Sequence, residues 1–104
     1  MAWLILLAAA ALEITWALAL KESDGFTKAL PSVIGVVTAV GSVALLMVAL
    51  RDLPVGTAYA VWTGLGAVGV AVAGILLFDE SASAARLACL AVVFAGVAGL
   101  RLVE

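Results

Sequence analysis

The chain has 104 residues, of which 67% are apolar, 12% are charged and none is histidine. Its mean hydropathy is +1.36, a composition that excludes a water-soluble enzyme, and its net charge of −2 provides no basic surface for nucleic acid. We therefore expect a non-enzymatic integral membrane protein with one domain, no cofactor, no metal site and no nucleic-acid partner.

The few charges fall in short clusters about 20 residues apart, the length of a helix that crosses a hydrocarbon core of roughly 30 Å. The expected spans, in chain order, are residues 2–20, 31–50, 55–78 and 84–103. The segment ending in Ala17-Leu18-Ala19 also resembles a signal peptide, but no basic residue precedes it, so we expect a mature helix. The sequence thus predicts an all-α integral membrane protein with four transmembrane helices in one domain, residues 1–104.

The first span contains Glu13, the acidic residue that lies deepest in any predicted span. An ionised group near the bilayer centre costs from about 3 kcal/mol on insertion scales to above roughly 10 kcal/mol in simulations. A carboxylate at this depth therefore indicates a functional site. Because the chain has no histidine, Glu13 is the predicted proton carrier and cation ligand. Trp16 lies three residues later, on the same helical face.

Polar and aromatic residues in the second and third spans complete a candidate site. Ser42 is near the middle of the second span, and the third span has a stripe at helical spacing: Tyr59, Trp62, Thr63 and Gly66. A carboxylate, aromatic faces and hydroxyl groups together are typical of an organic-cation site. The alternatives are that Ser42 bonds its own helix backbone and that Tyr59 belongs to the membrane interface.

The third span is also rich in glycine, including Gly64 and Gly66. Glycine weakens a helix by about 1 kcal/mol per site relative to alanine. Since a weakened helix bends more readily, we expect that this span can bend.

The fourth span carries small residues at three- and four-residue spacing: Ala88, Ala91, Ala95 and Gly99, with Cys89 and Gly96 beside them. Small residues let helices approach closely within a bilayer. We predict that Cys89, Ala95 and Gly96 pack against a second copy, although an alanine-rich helix also shows such spacing by chance. Cys89 is the single cysteine and cannot form an internal disulfide.

The loop charges are nearly balanced across the membrane. The side with both termini and the second loop holds Arg51 and Arg101, and the opposite side holds Lys21, Lys28 and Arg86. Orientation follows the Lys and Arg difference between short loops, and a difference of one is a weak bias. The charges alone leave open both a single orientation and a dual topology, in which copies insert both ways.

Several segments together resemble the small multidrug resistance transporters over essentially the whole chain: residues 13–21 (EITWALALK), 25–28 (GFTK), 31–32 (PS) and 53–66 (LPVGTAYAVWTGLG). Trp16 and the run from Trp62 to Gly69 resemble the guanidinium exporter subtype. The departures are Ala10 where that subtype has glycine, Lys28 in place of arginine, and Cys89 at a small position of the last helix.

The resemblance implies an antiparallel, dual-topology homodimer in the bacterial inner membrane that exports guanidinium and small organic cations. Two Glu13 carboxylates would line one shared cavity and bind protons or substrate alternately. It further implies hydrogen-bond support of the carboxylate by four residues: Trp16, Ser42, Tyr59 and Trp62. Gly64 and Gly66 match the bend that lets the two copies exchange conformations.

Other functions stay open on the sequence alone. One is a broad quaternary-ammonium or multidrug exporter with the same fold. Another is a structural subunit, or one half of a heterodimeric pair. A proton-driven rotor subunit also carries a buried carboxylate, but it usually has two helices rather than four.

Overall fold

The computed structural model describes residues 1–103, which form four α-helices and no strand. The helices are α1 (Ala2–Glu22), α2 (Ala29–Ala49), α3 (Val55–Leu77) and α4 (Ala84–Val103). Each is long and apolar enough to cross a membrane. The predicted all-α membrane fold with four spans is therefore confirmed. Glu104, which belongs to the last charge cluster, lies outside the described residues.

The helices differ from the predicted spans mainly around the first loop. α1 continues two residues further, to Glu22, and places Lys21 in its last turn, where a cation complements the helix dipole. α2 begins at Ala29, two residues before Pro31. Pro31 is tolerated because the backbone N–H groups of a first helical turn have no partner within the helix. The other helix bounds agree to within one residue.

The first loop is closed by Ser23, which is almost fully buried. Its hydroxyl donates to the carbonyl oxygen of Leu20 at 2.6 Å and accepts the backbone N–H of Phe26 at 3.2 Å. Gly25 has a positive φ of 70°, a backbone conformation that glycine adopts without strain. This compact turn fixes the antiparallel pairing of α1 and α2.

α1 is the centre of the molecule, because it packs most extensively against α2 and also against α3. α4 packs closely along α3 alone, and it reaches α1 through Arg101, which stacks on Trp3. Val97 is the one buried residue of α4. The molecule is flat, with extents of 41 × 35 × 16 Å. The faces of α4 that point away from α3 are therefore open to lipid or to another chain.

Candidate functional site

Glu13 faces α3 across a gap that a glycine maintains. A β-carbon placed on Gly66 would overlap the carboxyl group of Glu13, so no larger residue fits at position 66 unless that carboxyl moves. Glu13 is half-buried and Gly66 is buried. Oε1 of Glu13 is buried and has no hydrogen-bond partner among residues 1–103. The carboxyl group is therefore held by packing, while its Oε1 atom makes no hydrogen bond within the described residues.

Ser42 and Trp62 form a buried hydrogen-bond chain across three helices. Nε1 of Trp62 donates to Oγ of Ser42 at 3.0 Å, and Oγ of Ser42 donates to the carbonyl oxygen of Ala9 at 2.6 Å. Ser42 is fully buried and Trp62 is 9% exposed. The alternative that Ser42 bonds its own helix is therefore wrong.

The same chain corrects the expectation that Ser42 and Trp62 bond the carboxylate directly. The hydroxyl of Ser42 has one proton, which Ala9 accepts, and the indole of Trp62 has one N–H, which Ser42 accepts. Ala9 precedes Glu13 by one helical turn. These two side chains therefore position the backbone of α1 beneath Glu13 rather than the carboxyl group itself.

Trp16 and Tyr59 are placed differently from each other. Nε1 of Trp16 is buried and, within residues 1–103, has no hydrogen-bond partner, so the expected bond to Glu13 is not formed in this conformation. Tyr59 is 55% exposed, and its ring centroid lies 5.7 Å from that of Trp62. The site thus combines an unpaired acceptor on Glu13, an unpaired donor on Trp16, and an aromatic pair on α3.

The glycines of α3 allow neighbouring helices to approach closely. Beyond Gly66, a β-carbon on Gly69 would overlap the tip of Ile14 in α1, and one on Gly64 would lie 2.6 Å from Cγ2 of Val97 in α4. α3 is a continuous helix through these positions. Gly64 and Gly66, the predicted bending positions, therefore also allow close helix packing, a role that the three-residue spacing of Gly66 and Gly69 indicates too.

The predicted packing residues of α4 lie on its open side. Cys89 is exposed, and a β-carbon on Gly96 or Gly99 would meet no atom within 4 Å. Ala95 is likewise exposed. These residues are thus accessible to a second copy.

Comparison with known proteins agrees with this architecture. The family model for the Small Multidrug Resistance protein matches residues 1–93. A guanidinium exporter of Citrobacter freundii is 55% identical over 102 residues, covering 98% of this chain and 97% of that protein. One from Yersinia pseudotuberculosis is 54% identical over 102 residues, covering 98% of each chain. The chain therefore belongs to the small multidrug resistance family, whose members are multi-pass transporters of the bacterial inner membrane rather than enzymes.

Proposed function

We propose that this protein exports guanidinium and small guanidinyl cations in exchange for protons, and that both bind at Glu13. The observation that carries the proposal is the unpaired, buried Oε1 of Glu13 opposite Gly66. The chain is also 55% identical to proteins named guanidinium exporters, over nearly its full length.

The chemistry of guanidinium suits this site. The ion is planar, stays charged at physiological pH and presents N–H donors that pair with the two oxygens of a carboxylate. Inside a membrane such a pair forms where little water competes. Tyr59 and Trp62 add aromatic faces, which attract a cation within about 6 Å of a ring centroid. The pair therefore replaces the hydration that the ion loses.

Exchange follows from the cost of an empty, ionised carboxylate in the bilayer. Glu13 is neutralised either by a proton or by a guanidinium ion, and one carboxylate does not bind both at once. Changing sides with Glu13 ionised and unoccupied costs at least about 3 kcal/mol, whereas changing sides with either partner bound avoids that cost. Inward movement of protons thus drives outward movement of the cation.

We further propose an antiparallel homodimer that brings two Glu13 residues to one cavity. Three observations support it: α4 packs closely along α3 alone, its small residues face outward, and the charge difference between the two sides is one. Two glutamates allow two protons to exchange for one guanidinium ion. Cys89, Ala95 and Gly96 would lie at the contact between the α4 helices of the two copies.

The antiparallel arrangement predicts sensitivity to added charge. Three lysines appended after residue 104 should retain the C-terminus on the cytoplasmic side and abolish most of the exchange, because only one orientation remains. Coexpression with a copy biased the opposite way should restore exchange. Labelling of a cysteine at the C-terminus from each side of the membrane measures the orientation. A wild-type chain labelled from one side only contradicts the proposed dimer.

Selectivity provides the direct test of the proposed function. In liposomes that contain this chain alone, a proton gradient should drive accumulation of guanidinium and of small monosubstituted guanidines. Bulky polyaromatic cations such as tetraphenylphosphonium should exchange at least about tenfold more slowly. Equal rates for the two classes would favour the broad multidrug exporter. No exchange of any cation by the chain alone would favour a heterodimeric or structural subunit.

Competition at one carboxylate predicts a pH dependence of binding. If guanidinium binds only to ionised Glu13, its affinity is constant above the pKa of that carboxyl group and falls as pH drops below it. Each displaced proton costs about 1.36 kcal/mol, or tenfold in affinity, per pH unit. The slope should be about one if one glutamate of a dimer releases a proton and about two if both do.

Tryptophan fluorescence of detergent-solubilised protein measures this affinity, since Trp16 and Trp62 lie at the site. By linkage, guanidinium must release the same number of protons into weakly buffered solution. An affinity that is constant from about pH 6 to 9, without proton release, would show that the two ions do not share Glu13.

A further inference from the structure

A cavity of about 280 Å³ lies between α1, α3 and α4, and Glu13 does not line it. Its walls are almost entirely apolar. Eight residues line it, among them Trp3, Leu65, Phe94, Val97, Ala98 and Arg101. Arg101 is the charged residue of this lining, and it lies in the last turn of α4. The cavity is thus an apolar groove, and the one cation of its lining, Arg101, lies at the end of the groove that is nearest to the membrane surface.

Arg101 is held in place without being neutralised by a carboxylate of residues 1–103. Its guanidinium carbon lies 4.9 Å from the centroid of the Trp3 ring. The salt bridge within the described residues joins Arg86 to Glu80 instead, in the α3–α4 loop. Stacking on an aromatic face leaves the N–H edge of a guanidinium available for an anion.

The groove and the predicted dimer contact lie on opposite sides of α4. At about 100° per residue, Phe94, Val97 and Arg101 share one face. Cys89, Ala95 and Gly96, the predicted contact residues, share the opposite face, which is open around Gly96. A second copy that packs on the small residues therefore leaves the groove facing the bilayer.

We propose that this groove is a binding site for an anionic phospholipid. One acyl chain lies along the apolar walls from Leu65 toward Trp3, and the phosphate pairs with Arg101. Basic pockets between transmembrane helices are a recurring way to bind acidic headgroups, and tryptophan at the end of a span lies at headgroup level. The inference is independent of guanidinium transport, because Glu13 does not line the groove.

Native mass spectrometry tests the charge requirement. Protein is equilibrated with equal amounts of phosphatidylglycerol and phosphatidylcholine in detergent, and the lipids retained per chain are counted. The wild type should retain phosphatidylglycerol about fivefold over phosphatidylcholine, the preference expected from one arginine near an acidic headgroup. Arg101→Gln should lose this preference, and Arg101→Lys should keep part of it.

Arg51→Gln is the matched control. Arg51 lies in the α2–α3 loop, on the same side of the membrane as Arg101, and does not line the groove. The Arg51→Gln variant removes one positive charge, as Arg101→Gln does, but it should retain phosphatidylglycerol as the wild type does. Equal retention by Arg101→Gln and Arg51→Gln would overturn the proposal.

Quenching by brominated acyl chains tests the position of the lipid. A chain with Trp16→Phe and Trp62→Phe retains Trp3 as its single tryptophan, so its fluorescence reports on Trp3 alone. In an otherwise wild-type chain, the part of the fluorescence that Trp3→Phe removes also reports on Trp3. Brominated phosphatidylglycerol should quench Trp3 about fivefold more effectively than brominated phosphatidylcholine, and Ala98→Phe, which fills the groove, should remove the difference. Equal quenching by the two lipids, or shielding of Trp3 from both by a second copy, contradicts the site.

Discussion

Glu13→Gln is expected to give a folded protein that neither exchanges protons nor binds guanidinium measurably. Glutamine has nearly the same shape, but it holds neither a proton nor a negative charge at any pH of interest. Losing a charge-assisted pair costs about 1.5–3 kcal/mol, or at least a tenfold loss of affinity. Coupled exchange should disappear entirely, because no other carboxylate lies deep in a span.

The fold should survive this change because the carboxyl group makes little structural contribution through hydrogen bonds. Oε1 of Glu13 has no partner within residues 1–103. Glu22→Gln, at the exposed end of the same helix, is the matched control and should transport as the wild type does. Guanidinium-driven proton movement in liposomes is the measurement. Coupled exchange that persists in Glu13→Gln would place the site elsewhere.

Gly66→Ala should have the next largest effect, because the added methyl group occupies the position of the Glu13 carboxyl group. The carboxyl group must rotate away, or α1 and α3 must separate. Guanidinium affinity should fall at least about tenfold, which corresponds to the loss of about 1.4 kcal/mol of interaction. Fluorescence titration of purified protein measures this affinity.

Gly56→Ala is the control for the same substitution in the same helix. A β-carbon at position 56 meets no atom within 4 Å, so binding should be unchanged. The helix itself should become more stable, since alanine is preferred over glycine by about 1 kcal/mol in a helix.

Separate measurements of binding and exchange distinguish two roles for Gly66. If the residue provides space for the carboxyl group, Gly66→Ala weakens equilibrium binding. If it only allows α3 to bend, the variant binds guanidinium normally and exchanges it slowly. Wild-type affinity in Gly66→Ala therefore contradicts the steric role that the contacts indicate.

The four spans could be predicted because the thickness of the hydrocarbon core fixes the length of an apolar helix. Glu13 could be predicted because charge is costly at that depth. Both inferences need only local sequence. The two additional residues at the end of α1 could not be predicted, because polar residues such as Lys21 and Glu22 continue a helix as readily as they end a span.

The partners of the site residues could not be predicted, because periodicity identifies one face of a helix but not the helix that it meets. The stripe on α3 joined Tyr59, Trp62 and Gly66, yet the structure buries Trp62 and Gly66 and leaves Tyr59 exposed. The bond from Ser42 to Ala9 depends on the rotation of α2 against α1. Such rotations are set by tertiary packing across the whole molecule.

The hydrogen-bond chain through Trp62, Ser42 and Ala9 links the three helices that carry the site residues. It joins α3, α2 and α1 through two buried hydrogen bonds, whereas α4 packs along α3 and reaches α1 through Arg101 on Trp3. Any tilt of α1 must therefore displace α2 and α3 with it or break one of these two hydrogen bonds.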